Sequence, residues 1–171
     1  APEAEIDLPV NCVVQLANES LVVLSGDEFF HEQLGGDVFR VSADSFFQVN
    51  TVQAERMWQL VLKAVAGADH GKPLRILDAY CGVGTFAVAM SSVAERVVGI
   101  ESAPSAVRDA RVNVQPFANV EIIEGAVERV LPGLNEAFEV VVLDPPREGC
   151  APPVVDALIR RKIPHIVYVS C

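Results

Sequence analysis

Leu77-Asp78-Ala79-Tyr80-Cys81-Gly82-Val83-Gly84-Thr85-Phe86 is the stretch that decides the fold. An apolar run precedes two closely spaced glycines, and a helical pattern opens at Thr85. Glycines at 82 and 84 let the chain turn tightly and bring backbone close to a bulky ligand without a Cβ in the way. The following helix leaves its first N–H groups unpaired at the same place. These features alone suit a dinucleotide and an adenosyl cofactor equally.

Outward from this loop, strands are expected at 74–79, 96–101, 120–123, 138–143 and 165–170. Helices are expected from residue 51 to a stop at Gly67, and at 85–93, 104–114, 126–131 and 151–161. In the first of these, Met57, Leu60, Val61, Ala64 and Val65 recur at helical spacing. Short β-branched strands alternating with helices imply an open, mostly parallel, doubly wound sheet. Such sheets bind ligands at the carboxyl ends of their strands. Before residue 50 the pattern differs. Val13-Val14-Gln15-Leu16 and Leu21-Val22-Val23-Leu24 predict a hairpin around Asn18-Glu19, and Val38-Phe39-Arg40-Val41 a further strand. The expected organisation is therefore a strand-rich lead-in over 1–50 and an α/β core over 51–171.

Two features separate the cofactor classes. The dinucleotide pattern G-x-G-x-x-G would place glycine at 87, where Ala87 stands, a mild departure. Asp78 weighs more. A carboxylate beside the loop repels a pyrophosphate, whereas it can hold the ammonium group of S-adenosylmethionine directly or through water. Glu101 ends the next strand, seventeen residues past Gly84, near the roughly 20-residue spacing of a ribose-binding acid. The reading is a Rossmann-like class I S-adenosylmethionine-dependent methyltransferase core, with Asp78, Gly82, Gly84, Thr85 and Glu101 at the cofactor.

Farther on, Val140-Val141-Val142-Leu143 delivers Asp144 to the same edge, and Pro145-Pro146 stiffens the turn behind it. Asp144 either contacts the substrate base or organises the cofactor. Arg147 meets either a phosphate, the substrate or a surface acid. Tyr168-Val169-Ser170-Cys171 closes an apolar strand with a thiol. A thiol placed there could act as a nucleophile, because its pKa can be lowered locally to give the thiolate.

Composition bounds the rest. The 171 residues are 51% hydrophobic and 21% charged, as expected of a packed globule. No apolar run approaches the roughly 20 residues of a membrane span. Ala1-Pro2-Glu3-Ala4-Glu5 lacks the basic and apolar regions of a secretory leader. The four cysteines form no CxxC pair, so no metal site is expected, and free thiols point to a cytoplasmic setting. The net charge of -10 argues against a strong grip on phosphates.

Together these pieces resemble the RNA uracil-5-methyltransferases, which act on transfer or ribosomal RNA. The matching segments are Ser45-Phe46-Phe47-Gln48-Val49-Asn50, Asp78 to Phe86, Gly99-Ile100-Glu101, Asp144-Pro145-Pro146-Arg147-Glu148-Gly149 and Tyr168-Val169-Ser170-Cys171. The resemblance implies that Gln48, Tyr80, Glu101 and Asp144 line the cofactor and substrate site, and that Cys171 is the nucleophile, with Asp144 as its partner in catalysis. It implies an RNA partner as well. Relative to that family the chain lacks the Asn-Pro, the two strands and the carboxylate base expected after the cysteine. It also lacks the N-terminal RNA-binding barrel and the iron–sulfur cysteines of some members, and it carries Ala126 where a polar cofactor contact is common. The expectation is a core truncated before its last strands, with weak or absent turnover by itself. The alternatives are a methyltransferase for another substrate and an inactive cofactor-binding or scaffold domain.

Overall fold

Residues 10–18, 20–68, 71 and 73–170 are described by a computed structural model. Two antiparallel hairpins come first: β1 (Cys12–Gln15) with β2 (Leu21–Ser25), and β3 (Phe29–Leu34) with β4 (Asp37–Ser42). Strand β3 was not expected, because Phe29-Phe30-His31-Glu32-Gln33-Leu34 lacks an alternating apolar face. Its pairing is set by the Gly35-Gly36 turn, where both residues take positive φ. A Cβ on Gly35 would lie 2.8 Å from the Trp58 ring, so glycine lets this turn press onto the next helix.

That helix, α1 (Thr51–Ala66), starts where Asn50 accepts a hydrogen bond from the Gln53 N–H at 3.1 Å. It ends at Gly67. The core then runs β5 (Arg75–Ala79), α2 (Thr85–Ser91), β6 (Arg96–Glu101), α3 (Pro104–Asn113), β7 (Val120–Glu124), α4 (Val127–Val130), β8 (Val140–Leu143), α5 (Pro152–Arg161) and β9 (His165–Tyr168). Helix α3 begins with proline at its first position, where no N–H is needed, and α5 stops at Lys162 in the left-handed region.

The five core strands pair in parallel in the order β7-β6-β5-β8-β9. From β5 the chain builds outward through β6 to β7, then returns to β5's other side for β8 and β9. The carboxyl ends of β5 and β8 therefore flank a switch point, the place where open α/β sheets bind ligands. Side chains alternate across the sheet. Ile76, Val97, Val140 and Val142 meet α1 and α2 on one face, while Leu77, Ala79, Val98, Ile100, Val141 and Leu143 meet α4 and α5 on the other. Fully burying each such side chain contributes roughly 1.5–3 kcal/mol, enough to pin the register of β5. Helix α3 packs with Phe39 and Val41 of β4 and with Val83, joining the second hairpin to the core. The first hairpin is different, for Val14, Leu16, Val22, Val23 and Leu24 are exposed. No helix among the described residues is long and apolar enough to cross a membrane.

Candidate functional site

The site is built from the strand ends at the switch point. Past Ala79 the chain reverses at Tyr80, whose φ of 67° is unusual for a residue with a Cβ. Gly82 and Gly84 follow with φ of 54° and 88°. Among the described residues nothing lies within 4 Å of a Cβ built on Gly82, so they leave that side of the loop open. Gly84 caps α2, and Thr85 is its half-buried first residue. The Gly84 N–H closes the turn on the Cys81 carbonyl at 2.9 Å.

Glu101 holds the loop in place. Its Oε2 accepts from the Gly82 N–H at 2.9 Å, and its Oε1 accepts from the N–H groups of Ser102 at 2.6 Å and Ala103 at 2.8 Å. A carboxylate offers about four in-plane acceptor positions. Three are taken by backbone, which leaves one on Oε2. The spacing that singles out Glu101 in the sequence did not reveal these bonds.

Asp78 is fully buried, and neither carboxylate oxygen has a hydrogen-bond partner among the described residues. Burial pushes its carboxyl up to about 8, and the nearby acids Asp144 and Glu101 push the same way. The Ala87 backbone N–H opposes the rise without reaching full hydrogen-bond geometry. Asp144 is half-buried just past β8, and burial raises its carboxyl as well. Among the described residues, no lysine or arginine contributes to either shift. A buried acid with unused acceptors, beside two more acids and no cation among the described residues, is suited to a positively charged ligand and opposed to a pyrophosphate. The residues therefore fit the sulfonium and ammonium charges of S-adenosylmethionine.

On the β8 side, Tyr80 lies against Cys150. Burial and then the thiol raise the Tyr80 phenol to about 12, and burial raises the Cys150 thiol. A Cβ on Gly149 would lie 3.6 Å from the Tyr168 hydroxyl, so both tyrosines border the turn after Pro146. Arg147 is exposed there. Cys150 is a neighbour that the sequence did not single out, because no motif spacing marks it.

Asp78, Tyr80, Gly82, Gly84, Thr85, Glu101 and Asp144 thus share one edge of the sheet. Gln48 lies in the connection between β4 and α1, half-buried, and its neighbour Phe47 packs on the cluster that contains Val83. Cys171 lies outside the described residues. Two concavities lie elsewhere, one between the hairpins near Asn11, Asp27 and Phe29, the other at the amino ends of the strands near Arg75 and Arg96. Neither contains the acidic strand ends.

The tRNA (uracil-5-)-methyltransferase family profile matches residues 7–137. The chain belongs to this family. An RNA methyltransferase of Gloeobacter violaceus is 41% identical over 150 residues, covering 86% of this chain and 32% of that protein. The human tRNA (uracil-5-)-methyltransferase homolog A is 41% identical over 155 residues, covering 86% of this chain and 24% of its own length. Among solved structures, the Pyrococcus abyssi tRNA (uracil-54, C5)-methyltransferase in complex with S-adenosyl-L-homocysteine superposes with a TM-score of 0.72 at 34% identity. That match covers 86% of this chain and 36% of the archaeal one. The chain thus spans about a third of the length of these bacterial and archaeal relatives, and about a quarter of the human one. The fold expected from the glycine loop, a Rossmann-like class I methyltransferase core, is the fold observed.

Proposed function

We propose that the protein binds S-adenosylmethionine at the carboxyl ends of β5, β6 and β8 and methylates C5 of uridine in RNA. One observation carries the reading: the orphaned Asp78 carboxylate beneath a glycine loop that Glu101 staples, in a chain of this family. When bound, S-adenosylmethionine supplies an electrophilic methyl group to C5. Glu101 uses its remaining acceptor position for a ribose hydroxyl, and Asp78 attracts the ammonium end. Gln48, Tyr80, Gly82, Gly84 and Thr85 shape the pocket, and Asp144 orients either the uracil edge or the cofactor.

Cys171 is the proposed nucleophile. It lies two residues beyond Val169, whose N–H donates to the Leu143 carbonyl at 2.8 Å. In this reading the Cys171 thiol meets the substrate beside the Asp144 turn. A flipped-out uridine is presented there. The thiolate forms a bond to C6, which makes C5 nucleophilic. After methylation a base removes the C5 proton, the double bond re-forms and the S–C6 bond breaks. The chain itself has a net charge of -10 and few cations for phosphates, so turnover by residues 1–171 alone is proposed to be weak.

The test uses RNA carrying 5-fluorouridine, whose C5 holds no removable proton, so the adduct persists. A covalent protein–RNA species that needs S-adenosylmethionine and disappears in Cys171→Ala supports the reading. An unchanged yield in Cys171→Ala removes Cys171 as nucleophile. Failure of a folded sample to bind S-adenosylmethionine favours a scaffold.

A further inference from the structure

Helix α3 carries a buried polar cluster that the reaction chemistry leaves without a role. The Asp109 carboxylate is fully buried. It accepts from the Ser42 N–H at 2.7 Å, the Ser42 hydroxyl at 2.9 Å and the Ser45 hydroxyl at 2.8 Å, and it pairs with the Arg40 guanidinium. One turn later, Asn113 accepts from the Arg40 N–H at 2.8 Å and donates to the Arg40 carbonyl at 3.0 Å. The same amide donates to the carbonyl of Val83, between the two glycines of the loop, at 2.9 Å. One helix face therefore grips two segments, the end of β4 and the glycine loop.

We propose that Asp109 and Asn113 are positioning residues that set Gln48 against the glycine loop in the geometry cofactor binding needs, an inference resting on the cofactor site proposed above. The segment that carries Gln48 is anchored on both sides. Ser45 is fixed to Asp109 three residues before it, Phe47 packs into the Val83 cluster, and Asn50 caps α1 two residues after it. The Gln48 amide itself has no hydrogen-bond partner among the described residues, so its placement comes from those anchors.

Cohesion alone does not explain the cluster. Phe39, Val41, Ala106, Ala110 and Val114 already pack β4 on α3, and a buried ion pair is weak evidence of added stability. What directional hydrogen bonds add is a fixed register. Here one carboxylate and one amide tie the segment after β4 to the loop carbonyl through partners distant in sequence: Ser45 and Asp109 are 64 residues apart, Arg40 and Asn113 are 73, and Asn113 and Val83 are 30.

The measurement is S-adenosylhomocysteine affinity by titration calorimetry, with the melting temperature recorded on the same samples. Wild type, Ser45→Ala, Ser45→Thr, Gln48→Ala, Gln48→Ala with Ser45→Ala, and Asp109→Asn are compared. As a control, Arg161→Met removes a guanidinium that binds the carbonyls of Leu131, Leu134 and Glu136, away from the loop. Ser45→Ala is expected to weaken binding about ten-fold, one lost hydrogen bond to a charged acceptor. Ser45→Thr keeps the affinity. The double variant binds no more weakly than Gln48→Ala alone, since the anchor acts through Gln48. Arg161→Met lowers the melting temperature and leaves affinity unchanged. Wild-type affinity in Ser45→Ala, or additive losses in the double variant, overturns the positioning role, and Ser45→Ala decides the matter even where Asp109→Asn does not fold. No binding by folded wild-type protein overturns the cofactor site instead.

Discussion

The Gly82 N–H donates to Glu101 Oε2 at 2.9 Å, joining the glycine loop after β5 to the end of β6. The same carboxylate takes two further N–H groups, so the loop's shape depends on a negative charge at position 101. Hydrogen bonds to charged groups contribute about 1.5–3 kcal/mol each. Glu101→Gln leaves three N–H donors competing for one neutral oxygen and turns an amide NH2 toward one of them. The expected outcome is a loss of S-adenosylmethionine affinity of about ten-fold or more, with a lowered melting temperature. Calorimetry and thermal unfolding on one sample check both.

Asp78 predicts a pH dependence. Its folded value of about 8 lies above the ordinary 3.8. Below the ordinary value, folded and unfolded chains are both protonated and burial carries no charge penalty. Between about 4 and about 8 the unfolded chain releases a proton that the folded protein keeps, so stability falls by roughly 1 kcal/mol per pH unit, then levels off. Asp78→Asn removes this slope, which urea unfolding at several pH values between 5 and 8 measures.

The same shift gives a ligand-linked signal. A cation beside Asp78 favours its ionised form and lowers its pKa. Binding of S-adenosylmethionine at pH 7 therefore releases a proton and tightens as pH rises toward 8. Calorimetry in two buffers of different ionisation enthalpy reads the released proton, and Asp78→Asn abolishes it.

Two glycines separate binding from stability. A Cβ on Gly82 meets nothing among the described residues, so Gly82→Ala costs about 1–2 kcal/mol through its positive φ and reduces cofactor affinity by entering the open side of the loop. Gly99 has no such space, since a Cβ there lies 2.7 Å from Ile122 Cδ1 and 2.9 Å from Cys81 Sγ. Gly99→Ala overpacks the seam between β6 and β7, destabilising by about 1–3 kcal/mol. The ratio of affinity loss to stability loss, taken for each variant, is expected to be larger for Gly82→Ala.

Much of the core was readable because its signals are local. Apolar runs at 76–79, 97–100 and 140–143 are buried on both faces and read as parallel strands, and Gly82-Val83-Gly84 marks the loop whatever surrounds it. Strand β3 was not readable, since its pairing depends on a glycine turn against Trp58 and its own residues do not alternate. Asp109 and Asn113 recur with Ala106 and Ala110 on one face of α3, which hinted at burial. Their partners at 40, 42, 45 and 83 are distant in sequence and follow no spacing rule. Glu101 stood out by its spacing from the glycine loop, but its grip on three backbone N–H groups depends on how two loops meet. Cys150 came to the Tyr80 phenol in the same way, through a turn whose shape only the folded chain defines.

The most direct test of the central claim is a crystal structure of the protein with S-adenosylhomocysteine bound. The account predicts ribose hydroxyls within hydrogen-bond distance of Glu101, the amino group directed at Asp78, and the Cys171 sulfur facing the same pocket. A ligand seated away from these strand ends, or a Cys171 sulfur turned into the apolar interior, would contradict it.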